Sequence, residues 1–124
     1  MQIVVSAIIL NSKNQVLLLK KSSHSDYFPN KWTWPGGHVG KDENLEDSLM
    51  REVDEELGIK IEIIKQGKPV FFENNKIIPF LTRTKSNGVI LSNEHQEYRW
   101  INVNEINNFD LIPKIKENLK AVGF

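Results

Sequence analysis

The chain has 124 residues, the length of one domain with room for a real core. Lys plus Arg and Asp plus Glu number 16 each, so the basic excess of a duplex or membrane binder is missing. There is no cysteine, which excludes disulfides and thiolate metal sites; Met1-Gln2-Ile3 lacks a basic leader, and no apolar run nears the ~20 residues of a membrane span. A soluble, cytoplasmic protein is the expectation.

In chain order, Gln2–Leu10 is β-branched and apolar and predicts a strand buried on both faces. Asn11 to Asn14 is a turn, and residues 16–19 return as the second arm of a hairpin. Residues 22–31 are polar and aromatic with Pro29, hence a loop. Its Tyr27 and Phe28 are candidates for stacking on a nucleobase, or else they cover the edge of the core. Trp32 and Trp34 flank Thr33 at strand spacing and point the same way, one expected in the core and the other on the rim of a substrate cleft. Gly36-Gly37 reads as a tight turn that lets backbone approach something closely.

A helix follows, capped by Asp42 or Asn44 and ended by Gly58 in the left-handed conformation. Leu45, Leu49, Val53 and Leu57 recur at every fourth position as an apolar stripe. Glu52, Glu55 and Glu56 fall beside that stripe within an arc of roughly 100°. Like charges at this spacing cost about 0.2–0.5 kcal/mol per pair, and acids in a last helical turn cost about 0.3–1 kcal/mol each against the macrodipole. Either these acids form a solvated face, or divalent cations among their oxygens reverse the sign of the sum. Glu43 is expected to pair with Arg51.

Beyond Ile59 the pattern predicts strands at 61–65, 70–73 and 76–84, with Asn74-Asn75 as a hairpin turn and Ser86-Asn87-Gly88 as a loop. A last short strand is expected at 98–101, a helical turn at 103–106 and an amphipathic helix at 113–121 with Pro113 in its first turn. Before that last strand lie two further acids, Glu94 and Glu97, on either side of His95, which reads as a loop histidine.

Written out, residues 37–59 are Gly37, five residues, Glu43, seven residues, then Arg51-Glu52-Val53-Asp54-Glu55-Glu56-Leu57-Gly58-Ile59. This resembles the Nudix hydrolase box, G-x5-E-x7-R-E-U-x-E-E-x-G-U with U aliphatic, at every specified position, and Trp34-Pro35-Gly36-Gly37 is similar to the family's lead-in. The resemblance implies one domain over residues 1–124 in the α/β class, an α/β/α sandwich around a mixed central sheet. It implies a hydrolase of phosphorus anhydride bonds, cleaving the diphosphate linkage of a nucleoside triphosphate or another nucleoside diphosphate-X. The implied metal ligands are Glu52, Glu55, Glu56 and the Gly37 carbonyl, holding Mg²⁺ with Mn²⁺ as a substitute. The catalytic base is then Glu52, Glu94 or Glu97, with Arg51 orienting Glu52. His38 is a candidate phosphate contact or a polar residue at a strand start, and Tyr27, Phe28 and Trp32 are candidate substrate contacts.

The expected partner is a small-molecule nucleotide or nucleoside diphosphate derivative, with no nucleic-acid polymer and no membrane; a homodimer is left open. The tract SQPWPFPxS of NADH-type members is absent, and Asn75 and Lys76 stand where ADP-ribose and dinucleoside-polyphosphate members carry Pro and Tyr. Leu111 occupies the place of the asparagine with which mutator-type members read an oxidised guanine. A triphosphate is the substrate the remaining features favour. The competing readings are a nucleotide sensor without hydrolysis, disfavoured by the intact box, and a structural domain with solvated acids.

Overall fold

The structure is a computed structural model that describes residues 1–86 and 88–124; of the expected 86–88 loop, Asn87 lies outside the described residues. The central strand is β1 (Gln2–Leu10), which pairs in parallel with β7 (Asn75–Arg83) along its whole length, from Gln2 opposite Asn75 to Leu10 opposite Arg83. Its other edge is shared. Leu10 meets Val16 at the start of β2 (Val16–Lys21), while Val4 to Ser6 pair with β4 (Gly36–His38). The sheet runs β3 (Trp32–Thr33), β2, β1, β7, β5 (Glu62–Gln66), with β6 (Val70–Phe72) on β7 and β8 (His95–Ile101) on β2. One parallel pair among antiparallel ones makes the sheet mixed, as expected.

Strand alternation divides the core in two. Val5, Ala7 and Ile9 face helix α1 (Leu45–Leu57) and pack with Leu49, Val53, Leu57 and Phe80. Ile8 and Leu10 face the opposite way, toward helix α2 (Ile115–Ala121) and the 3₁₀ helix Val103–Asn108, and pack with Trp32, Trp34, Ile106 and Leu119. Helices thus cover both faces of the sheet, the α/β/α sandwich. The stripe on α1 is what fixes it there: Leu49, Val53 and Leu57 are fully buried, and each such side chain stabilises by about 1.5–3 kcal/mol.

Several boundaries differ from the sequence-based expectation. Gly36-Gly37 is not a tight turn but the start of β4, and Gly36 must be glycine because a Cβ there would collide with the Val5 carbonyl. The hairpin between β6 and β7 turns at Glu73-Asn74, one residue early, with Glu73 taking the left-handed conformation at φ 51° and Phe72 opposite Asn75. Asn44, not Asp42, caps α1, its side chain accepting from the Asp47 amide at 2.8 Å. Helix α2 begins two residues after Pro113, because Lys114 at φ 74° interrupts the helical backbone. The last strand starts at His95, three residues earlier than expected, held by pairing with β2 across a bulge at Lys20 and Lys21.

Candidate active site

Helix α1 delivers the three acids, and each meets a different environment. Glu56, on the last turn, is buried at 5 % exposure. Its Oε2 accepts the Gly36 amide at 2.9 Å. Burial pushes its carboxyl up to about 8; the Gly36 hydrogen bond opposes this and the charges of Glu52, Glu94 and Glu55 add to it. Glu52, one turn earlier, lies against Gly37, where an added Cβ would collide with its carboxylate. Burial raises its pKa too, against the Arg51 guanidinium, whose Nη1 is 3.1 Å away. Glu55 stays largely in solvent and pairs with Arg51 Nη1 at 3.2 Å.

Arg51 ties the segment together. Its Nε and Nη2 donate to Glu43 at 2.7 and 2.9 Å, the expected pair, in a two-pronged grip that holds the Glu43 carboxyl down at about 2. Glu43 also accepts the Gly40 amide at 2.8 Å, so the loop ahead of the helix is pinned to the helix.

A cavity of about 600 Å³ opens beside Glu56. Gly36, Gly37, Lys21, Glu94 and His95 line it together with Glu56. One ligand atom each from Glu56, Glu94 and His95 lies within 4.8 Å of the others. The loop bearing Glu94 hangs on the end of α1, with the Ile90 and Ser92 amides donating to the Leu57 and Glu56 carbonyls at 2.9 and 3.1 Å. His95 has a side chain only 6 % exposed, its Nε2 3.8 Å from Glu56 Oε1, and its pKa is lowered to about 4 by burial and by Lys21. Lys21 is itself lowered by burial, while Glu94 opposes that shift.

Other candidates fall elsewhere. Glu97 does not join Glu94: its carboxylate pairs with Arg99 at 3.2 Å on the exposed strand surface. Trp32 is packed edge-on against Phe109 in the core, and Trp34 lines the cavity instead, its Nε1 donating to the Ile115 carbonyl at 3.0 Å. Tyr27, 71 % exposed, and Phe28 do not line the cavity, although His24 of the same loop does. His38 lies in a separate depression beside Gly40 and Glu43, and its carbonyl accepts from Arg51 at 3.4 Å. Sequence reasoning missed Lys21, whose only signal is a charge at the end of an apolar strand, and it dismissed His95.

The NUDIX domain family profile matches residues 1–122. The chain belongs to the Nudix family. A relative described as an 8-oxo-dGTP diphosphatase, from Buchnera aphidicola subsp. Schizaphis graminum, is 34 % identical over 110 residues, covering 87 % of this chain and 82 % of the relative. Nucleoside triphosphatase NudI of Escherichia fergusonii is 24 % identical over 130 residues, covering 93 % and 92 %. The crystal structure of a MutT protein from Methanosarcina mazei Go1 superposes with a TM-score of 0.82 at 34 % identity, over 96 % of this chain and 90 % of that one. This Nudix chain is thus a hydrolase of phosphorus anhydride bonds. No helix among the described residues is long and apolar enough to cross a membrane.

The acids of this Nudix site fit a divalent cation. A carboxyl as buried as Glu56, with Glu52 and Glu94 close by, keeps its proton to about pH 8 unless a positive charge replaces it. The donors are mainly carboxylate oxygens, the set that suits Mg²⁺ and Mn²⁺. Glu56 and Glu94 bring their oxygens together with His95, Glu52 is close enough for its charge to act on Glu56, and Glu55 is more exposed.

Proposed function

We propose that the chain is a divalent-cation-dependent pyrophosphohydrolase of nucleoside triphosphates, using Mg²⁺ with Mn²⁺ as a substitute. The observation that carries this reading is the buried Glu56 carboxyl grouped with Glu94 and His95 in a cavity, also lined by Lys21, that is large enough for a nucleotide. An acidic pocket binds a polyanion only with cations between them, and the names of the two relatives, a diphosphatase and a nucleoside triphosphatase, point to the same substrate class.

In this reading Glu52, Glu55 and Glu56 would hold the cation, which when bound would neutralise phosphate charge and polarise phosphoryl oxygens. The Lys21 ammonium meets the phosphate chain. Glu94 takes the proton of the attacking water, because among the described residues its carboxylate has no ion-pair or side-chain hydrogen-bond partner and it borders the cavity. Water oxygen bonds to phosphorus, the anhydride P–O bond breaks, and pyrophosphate leaves with the electron pair. Glu52 is the second candidate for the base; its contact with Arg51 favours the ionised form but also engages it. Arg51 and Glu43 position the helix acids rather than touch the substrate.

The test is product analysis with a panel of nucleoside triphosphates, nucleoside diphosphate sugars and dinucleoside polyphosphates, with and without Mg²⁺. Nucleoside monophosphate and pyrophosphate, formed only with the cation, are the expected products. Cleavage confined to another substrate class, or undiminished in chelator, overturns the proposal.

A further inference from the structure

Part of the wall of the cavity that holds Glu56 and Glu94 is apolar, formed by Trp34, Ile77, Ile112 and Pro113. If the anhydride lies among the charged groups, as proposed above, the flat base of the nucleotide falls here. Two polar side chains interrupt this apolar wall. Ser6 on β1 is 7 % exposed and Asn118 on α2 is 3 % exposed, and they are joined by a hydrogen bond of 3.0 Å across the two elements.

The direction of that bond is fixed by chemistry. Asn118 Nδ2 is 2.6 Å from the Lys114 carbonyl. A backbone carbonyl can only accept, so the nitrogen end of the amide must face it and the oxygen end must face Ser6. An amide oxygen can only accept as well, so the Ser6 hydroxyl donates its single proton to Asn118. What Ser6 has left for a ligand is lone pairs alone.

We infer that Ser6, oriented by Asn118, is a specificity-determining residue that selects nucleobases presenting an N–H or amino group to the apolar part of the cleft wall. A base offering a carbonyl or ring nitrogen at that point sets lone pair against lone pair in a place where water has little access, and it is rejected. A base offering an N–H satisfies the serine oxygen and is retained. The inference rests on the proposed nucleotide reading, and it adds which edge chemistry the site accepts.

Matched pairs isolate the effect. Guanine against hypoxanthine differs at the 2-amino group alone, and in guanine against 8-oxoguanine the N7 position changes from a ring acceptor to N–H while a carbonyl is added at C8. The wild-type protein is expected to prefer the donor-bearing member of at least one pair by about tenfold in kcat/KM. Ser6→Ala is expected to bring that ratio to within about twofold of unity, since the oxygen is gone. Asn118→Ala releases the hydroxyl proton, so the same pair shifts toward its acceptor-bearing member; melting temperature checks that each variant is folded. Should Asn118→Ala fail to fold, Ser6→Ala alone decides.

Binding of the matched nucleoside monophosphates, measured by calorimetry, separates this inference from the catalytic one because it needs no turnover. Selective binding lost in Ser6→Ala supports the serine even if no triphosphate is cleaved. Efficient cleavage with no preference in any pair, or a preference that Ser6→Ala leaves intact, overturns it.

Discussion

The Glu52 carboxylate occupies the space that a Cβ on Gly37 would need. The close approach of β4 to α1 is therefore a condition for the acid's position, not a by-product of the turn. Gly37→Ala is expected to leave the fold in place, because the colliding group is the end of a flexible side chain. It should displace Glu52 and lower kcat by about 100-fold, the scale of a misplacement near 1 Å. Kinetics with melting temperature as the control check this; wild-type turnover in Gly37→Ala would show that Glu52 need not sit there.

The two loop acids make opposite predictions. Glu94→Gln should lower kcat by at least about 100-fold, whereas Glu97→Gln should stay near wild type, since Glu97 pairs with Arg99 away from the cavity. Parallel turnover measurements on the two variants decide between them. Glu52→Gln is expected to lose as much as Glu94→Gln, through its place beside the cation.

Stability should depend on pH in a defined way when divalent ions are absent. The Glu56 carboxyl, at about 8 in the fold against an ordinary 4.5, holds a proton that the unfolded chain releases, so stability falls as pH rises between those values. His95, at about 4 against 6.5, has the opposite sign and offsets part of that fall below pH 6.5. From pH 6.5 to 8 the Glu56 effect is no longer offset by His95, and the expected loss is roughly 2 kcal/mol. Thermal melts in chelator should show it, and Glu56→Gln should flatten it. Added Mg²⁺ should raise the melting temperature more at pH 8 than at pH 6, because protons compete for the same oxygens. A flat wild-type profile would remove the buried-acid argument.

Arg51→Lys tests the grip on Glu43. A lysine ammonium cannot reproduce the two parallel bonds at 2.7 and 2.9 Å. Loss of about 10- to 100-fold in cation affinity or activity is expected, the usual scale for groups that orient ligands. Cation affinity, read from melting shifts, should move together with kcat. If neither moves, the arginine is a surface ion pair.

What could be read in the sequence was local. The α1 stripe, the Gly58 cap and the Glu43–Arg51 pair all follow from spacings of a few residues, and each is present. The choice between Glu94 and Glu97 depends on pairing between β8 and β2 and on the bulge at Lys20 and Lys21, which no neighbouring residue encodes. Trp32 and Trp34 alternate with a single residue between them, yet both are buried on the α2 side, and only packing against Phe109 and Ile115 distinguishes their roles. Ser6 and Asn118 stand 112 positions apart, beyond the reach of any periodicity.

The amides of Ile90 and Ser92 close off the carbonyls at the end of α1, so one helix terminus carries Glu56 and also moors the segment that supplies Glu94. The spacing between the two acids is set at that mooring rather than by the length of chain leading to it. Loss of either amide hydrogen bond would therefore separate the two acids without a change to any side chain of the site.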